Sequence, residues 1–126
     1  MAPTDVRLSD LDVVQPNILV VCKPAQITPS HIEGAPDVVV EVLSPATATR
    51  DQREKKALYD RAGVAEYVMV SPLQHYAIRF LNSTDGFDKG TVFGPDEMLV
   101  FSTLDALEIP LWEVFEVAGQ GGSRRR

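Results

Sequence analysis

The sequence has few of the residues from which covalent cross-links and metal sites are usually built. One cysteine and two histidines among 126 residues exclude an internal disulfide and a multi-cysteine zinc site. His31 and His75 are too far apart in sequence to form the paired ligands of a zinc-protease helix. The lone Cys22, together with the absence of an apolar signal segment within residues 1–15, favours a cytoplasmic protein.

Long apolar segments and an excess of positive charge are also missing. No apolar run approaches the length that spans a membrane. Lys and Arg total 12 against 18 Asp and Glu, which gives a formal net charge of −6, whereas proteins that bind duplex DNA usually show a broad basic face. Only the segment 50–61 is basic, and its composition favours a solvated helix face (Arg50, Arg53, Lys55, Lys56, Arg61).

The composition is that of one folded domain with a short tail. A hydrophobic content of 44% and a charged content of 24% are ordinary for a globular protein of this length. We expect a single domain over residues 1–118. Residues 119–126 (GQGGSRRR) form a flexible basic tail by composition.

One strand and one helix have clear patterns. Asp37–Leu43 (DVVVEVL) is nearly continuous in Val and Leu, which indicates a strand buried on both faces. A helix is predicted over Thr49–Ala62, with Thr49 and Gln52 as a capping box and Gly63 as its stop.

The remaining elements are shorter and are mostly strands. Strands are predicted at 17–22, 66–70, 76–81 and 99–101, a loop at 23–35 and one helical turn at 104–107. This order predicts an α/β or α+β domain in which a mixed sheet carries one main helix. A single helix covers only one sheet face, so we expect an apolar face that a second copy of the chain covers in a homo-oligomer.

Glu41 is the residue whose chemistry is most informative. A carboxylate within an apolar strand costs several kcal/mol to bury unless it is paired, protonated or bound to a metal. Asp37 shares its strand face but lies about 13 Å away, so Asn17 on the preceding strand is the candidate for a second oxygen ligand. Lys55, one turn into the helix, is the candidate cation. The group could support metal-assisted phosphodiester hydrolysis, or Glu41 and Lys55 could simply form an ion pair that fixes the helix on the sheet.

Three segments and a following Ser-Pro resemble the Uma-type restriction endonuclease family, within the PD-(D/E)XK nuclease superfamily. They are VVQPNILVV at 13–21, IEGAPDVVVEVLSP at 32–45, RDQREKKALYDRAGVAEY at 50–67 and the Ser-Pro at 71–72. The resemblance implies a restriction-endonuclease-like fold, an endonuclease that hydrolyses DNA, and Mg²⁺ or Mn²⁺ as cofactor.

The resemblance also implies roles for particular residues. Glu41 matches the second catalytic acid and metal ligand, and Lys55 the catalytic lysine. Asn17 stands where the family has a metal-binding Asp, and Asp37 and Asp51 match supporting acids. Tyr59 and Tyr67 match family positions that are interpreted as packing.

The chain also departs from the family pattern. Asn17 brings no negative charge, so affinity for a divalent cation should be lower. Ser71 replaces a family Asp, and the chain is expected to lack the family's N-terminal portion. The sequence therefore predicts a truncated relative with a degenerate catalytic set, which is either a weak or inactive endonuclease or an oligomeric binding or structural module.

Overall fold

The computed structural model describes residues 4–45 and 49–115, within which the elements follow one another along the chain. They are β1 (Val6–Arg7), β2 (Val13–Val14), β3 (Ile18–Val20), β4 (Ile32–Glu33), β5 (Val38–Val42), α1 (Thr49–Ala62), β6 (Glu66–Ser71), β7 (Tyr76–Ser83), β8 (Gly86–Phe87), β9 (Thr91–Phe93), β10 (Met98–Phe101), β11 (Leu107–Pro110) and α2 (Leu111–Phe115). The 119–126 tail and the side chain of Thr49, and with it the predicted capping box, lie outside the described residues.

The main sheet is mixed, as the sequence predicted. Its strand order is β3-β5-β6-β7, and both β8 and β9 pair with β7. β5 and β6 are parallel, while the other neighbours are antiparallel. Parallel neighbours require a crossover connection, and α1 supplies it between β5 and β6. The predicted helix bounds of Thr49–Ala62 are confirmed.

Side-chain alternation on β5 divides the core between the two sheet faces. Val39 packs with Tyr59 of α1 and with Tyr67 and Phe80 of the neighbouring strands. The opposite face carries valines of β5 and β6 that pack against the C-terminal elements (Val38, Val40, Val68, Val70 against Leu99, Phe101, Leu111, Phe115). The prediction that this face lacks a cover is therefore wrong, because the β10–β11 hairpin and α2 bury it.

Short elements account for the other differences from the sequence prediction. The expected loop at 23–35 contains β4 and a 3-10 turn at Pro24–Gln26, and β4 joins a small second sheet with β1 and β2. The helical turn expected at 104–107 is wrong, because a 3-10 turn covers Ser102–Leu104 and Leu107 begins β11. No helix in the two described ranges has the length and apolar character needed to cross a membrane.

Two glycines with positive φ give a matched test of local packing. Gly63 after α1 has φ +88° and open space around a new Cβ, whereas Gly90 has φ +94° and would place a Cβ 2.7 Å from Cε1 of Phe80 and 2.9 Å from Cδ1 of Ile78. Both substitutions to Ala are strained, but only Gly90→Ala overlaps a neighbour. We expect Gly63→Ala to lower the free energy of unfolding by about 1 kcal/mol and Gly90→Ala by about 2 kcal/mol, measured by urea titration. Equal losses would contradict the crowding at Gly90.

Candidate functional site

Glu41 lies on β5 beneath α1 and is only 6% exposed. The hydroxyl of Tyr59 donates a hydrogen bond of 2.6 Å to its Oε2 atom. The Nζ atom of Lys55 lies 3.8 Å from the same oxygen. Lys55 and Tyr59 are four residues apart, so α1 presents both groups on one face. The buried carboxylate is thus compensated by a neutral donor and a cation from one helix.

Lys55 is the more accessible member of this group. Its side chain is 39% exposed, against 8% for the side chain of Glu41. A separation of 3.8 Å is at the outer limit of an ion pair, so the ammonium remains able to contact a ligand as well. The sequence prediction that Glu41 and Lys55 meet is confirmed, and their catalytic roles stay predictions.

Asn17 reaches the same place from the preceding strand. Its Oδ1 atom accepts a hydrogen bond of 2.8 Å from the backbone N–H of Val42, the residue after Glu41. The side chain therefore continues the β3–β5 ladder one step beyond the paired residues Ile18 and Val40. Asn17 lies beside Glu41, as predicted, but its oxygen already serves the strand.

An open pocket of about 240 Å³ joins these residues. Its lining is mostly polar (Gln15, Asn17, Glu41, Val42, Leu43, Ser44, Gln52, Lys55, Tyr67). Burial raises the pKa of Tyr67, and the nearby Glu41 carboxylate raises it further. Burial followed by the hydrogen bond to Glu41 raises the pKa of Tyr59. Both hydroxyls therefore stay protonated, and able to donate, at neutral pH.

The supporting acids predicted from the sequence are not part of this pocket. Asp37 lies at the other end of β5, where its Oδ1 atom accepts a hydrogen bond of 3.0 Å from the N–H of Cys22. It lines a separate pocket of about 400 Å³ with Lys23 and Gln26. Asp51 is exposed in the first turn of α1 and does not line the Glu41 pocket. Their supporting roles stay untested predictions.

The basic cluster of the sequence divides into engaged and solvated residues. Lys55 faces Glu41, and Nζ of Lys56 lies 4.1 Å from the ring centroid of Phe80. Arg53 and Arg61 are exposed on α1. The solvated-face interpretation therefore applies to Arg53 and Arg61, whereas Lys55 faces a buried carboxylate and Lys56 an aromatic ring.

The atoms that could bind a metal in this pocket do not fit a divalent cation held by this chain alone. Glu41 is the one acidic residue in the pocket lining, and its Oε2 atom already receives a hydroxyl and faces an ammonium. Among the described residues, no three His, Cys, Asp or Glu side chains converge as a metal site requires. Hard cations such as Mg²⁺ are held by carboxylates and other oxygens, and this pocket offers one carboxylate.

The sequence interpretation missed the role of Tyr59, which was assigned to packing alone. Tyr59 is fully buried and does pack on Tyr67, with ring centroids 5.1 Å apart. Its hydroxyl nevertheless lies closer to Glu41 than the Lys55 ammonium does, at 2.6 Å against 3.8 Å. The spacing of four residues from Lys55 could have revealed this, because a helix that presents Lys55 to Glu41 also presents Tyr59.

Comparisons with known proteins identify the family of the chain and agree with its overall fold. The profile of the Uma2 family, described as "Putative restriction endonuclease", matches residues 1–111. A solved structure described as a "putative nuclease belonging to DUF820" from Anabaena variabilis superposes with a TM-score of 0.72 at 18% identity. The match covers 92% of this chain and 66% of that protein, so this chain spans about two thirds of its length. No curated protein matches the chain. The family match spans nearly all of the described fold, and the chain therefore belongs to the Uma2 family.

Proposed function

We propose that this chain binds DNA at the Glu41 pocket and hydrolyses phosphodiester bonds slowly. The observation that supports the proposal is the 3.8 Å approach of Lys55 to Glu41 at an open polar pocket, in a member of a family described as restriction endonucleases. The exposed part of Lys55 is suited to contact a phosphate. Glu41 is suited to accept the proton of a water molecule whose oxygen bonds to phosphorus, while the P–O bond to the leaving sugar oxygen breaks and that oxygen takes a proton from solvent.

The expected rate is low because the pocket holds few catalytic groups. The carboxylate can transfer a proton and the ammonium can neutralise part of the developing charge. Each effect lowers the activation barrier of phosphodiester cleavage by only a limited amount. Mg²⁺ or Mn²⁺ stays an expectation of the family resemblance, and the donor set gives it no direct support. The assay is therefore run with each cation and with EDTA.

The proposal predicts that nicking of supercoiled plasmid depends on both residues. We expect Glu41→Gln and Lys55→Met to lower the nicking rate at least about 100-fold, as for loss of a general base or a charge-stabilising group. Asp85→Asn and Lys89→Met remove exposed charges of the same kinds in and after the β7–β8 turn, and should leave the rate unchanged. Absence of nicking by the unmodified chain, or equal nicking by all variants, would contradict the proposal.

The second candidate is a binding or structural module without catalysis. The engagement of the Asn17 oxygen by the Val42 N–H favours it, because the oxygen at a metal-ligand position of the family pattern is then already hydrogen-bonded to the strand. A chain of this kind would shift the mobility of duplex DNA without cutting it. The mobility assay beside the nicking assay separates the two candidates.

Self-association and a cytoplasmic location stay predictions of the sequence. The original reason for a homo-oligomer no longer holds, since the C-terminal elements cover the second sheet face. Exposed apolar side chains do occur at several separate places in strands and loops (Leu11, Ile18, Ile27, Leu73, Val92), as is normal for a folded surface.

A further inference from the structure

The Asn17 side chain has a fixed orientation. A backbone N–H can only donate, so the atom that faces the N–H of Val42 at 2.8 Å is the carbonyl oxygen Oδ1. The other polar atom of the side chain is Nδ2, which carries two N–H donors. Oδ1 keeps a second lone pair, but its bond to the Val42 N–H holds it towards the backbone of β5. Because Asn17 lines the pocket, Nδ2 is then the atom that offers both of its hydrogen-bonding positions to a ligand.

Other lining residues add donors to this pocket. Lys55 contributes an ammonium with 39% of its side chain exposed. Tyr67 contributes a hydroxyl that burial keeps protonated. The Nε2 atom of Gln15 is bound to Asp5 at 2.7 Å, so Gln15 offers an acceptor instead. Donors repel a metal cation and bind the oxygens of an anion.

Because the two charges of the lining balance, its neutral donors, Nδ2 of Asn17 and the hydroxyl of Tyr67, decide the choice of ligand. Glu41 and Lys55 are its charged side chains, and they are opposite in sign. Neither a cation nor an anion gains from net charge there. The orientation of the Asn17 amide then favours an anionic oxygen over a metal ion.

We propose that a phosphate oxygen of DNA binds directly to Nδ2 of Asn17 and Nζ of Lys55, without a bridging divalent cation. The inference rests on the proposed function, because it specifies how the same pocket holds DNA. With Asp at position 17, one carboxylate oxygen would still accept the Val42 N–H, and the second would face the pocket as a metal ligand beside Glu41. Asn17 therefore decides between a phosphate contact and a cation.

The test replaces this one group by its isostere. In EDTA, we expect Asn17→Asp to weaken binding of a short duplex DNA about 10-fold or more. The substitution replaces an N–H donor by a carboxylate oxygen that carries the same negative charge as the phosphate. In calorimetric titration with Mn²⁺, the unmodified chain should show no binding at this pocket. Asn17→Asp should bind Mn²⁺, and the double variant Asn17→Asp with Glu41→Gln should lose that binding. The two readouts thus change in opposite directions.

Two further variants keep the test decisive. Thr84→Asp adds the same charge in the exposed β7–β8 turn and should change neither readout. Lys55→Met leaves Asn17 in place and should weaken DNA binding in EDTA about 10-fold on its own.

Different failures point to different conclusions. Mn²⁺ binding by the unmodified chain that Glu41→Gln abolishes would overturn the inference. DNA binding that requires Mn²⁺ and disappears in EDTA would also overturn it, while leaving the proposed function intact. If the chain binds no DNA either with Mn²⁺ or with EDTA, the proposed function is contradicted. The inferred direct contact with phosphate then fails as well, since it rests on that function.

Discussion

Replacing Glu66 by Ala is expected to lower the free energy of unfolding by about 3–5 kcal/mol, the range for breaking a buried charge network. Glu66 is fully buried on β6. Its two oxygens accept hydrogen bonds from the backbone N–H groups of Ser102 (2.9 Å) and Thr103 (2.8 Å). Truncation would leave both donors without their partner and remove the counter-charge of Arg79.

Arg79 makes the loss larger than two hydrogen bonds would suggest. Its Nε atom lies 3.9 Å from Oε2 of Glu66 and is buried without a hydrogen-bond partner, although another nitrogen of the guanidinium donates to the carbonyl of Val100 at 2.7 Å. The Glu66 carboxylate is the nearby negative charge that compensates the Arg79 guanidinium. Because Arg79 also bonds β10 and Glu66 bonds the following 3-10 turn, the pair fixes the C-terminal hairpin to the main sheet.

Urea titration measures the expected loss, and Glu97 provides the matched control. Glu97 also accepts a hydrogen bond from a backbone N–H, that of Gly94 at 2.6 Å, but it is exposed. Glu97→Ala should therefore cost less than about 1 kcal/mol. Combining Glu66→Ala with Arg79→Met should cost less than the sum of the two single changes, because neither charge is then left alone. Similar losses for Glu66→Ala and Glu97→Ala would show that burial contributes nothing at Glu66.

A weaker form of the sequence signal that singled out Glu41 was present at Glu66, the first residue of β6. Both are acids within valine-rich strands, DVVVEVL and EYVMVS, and both are buried. They differ in the side of the sheet on which they lie: Glu41 faces α1 and an open pocket, whereas Glu66 faces the C-terminal turn. Period-2 alternation assigns a residue to a face, but the partners on that face come from distant segments that the pattern does not specify.

The fold could be predicted from the sequence where the elements are long. α1 has its predicted bounds because the stretch from Thr49 ends at Gly63, whose left-handed φ of +88° stops the helix. β5 and β6 were recognisable from their runs of valine. Strands of two or three residues, such as β1, β2 and β4, carry too few positions for a period to appear.

The site was predictable in part for the same reason. The order of strand, Ser-Pro connection and helix was enough to bring Lys55 back over Glu41. Asn17 could be placed on the neighbouring strand, but the antiparallel pairing that brings it beside Glu41 was not predicted. Hydrogen-bond geometry was not available from the sequence. The orientation of the Asn17 amide depends on the N–H of Val42, and the role of Tyr59 depends on how deeply α1 sits on the sheet.

Replacing Tyr59 by Phe is expected to lower the free energy of unfolding by about 3 kcal/mol, the upper end for a hydrogen bond to a charged group. The ring and its contacts with Tyr67 remain, and only the 2.6 Å bond to Glu41 is lost. The negative charge of Glu41, which is only 6% exposed, would then be compensated by the Lys55 ammonium at 3.8 Å. Tyr76→Phe removes a hydroxyl from a partly exposed tyrosine and should change stability by less than about 0.5 kcal/mol.

A double-mutant cycle with Glu41→Gln isolates the contact. Because Gln is neutral, its amide costs much less to bury, so the loss of the Tyr59 hydroxyl should matter less in that background. We expect Tyr59→Phe to cost about 1 kcal/mol when Gln stands at position 41, which leaves a coupling energy of about 2 kcal/mol. Urea titration of the four chains gives this value directly. A coupling near zero would mean that Tyr59 stabilises the helix through its ring alone, and that Glu41 is held by Lys55 without it.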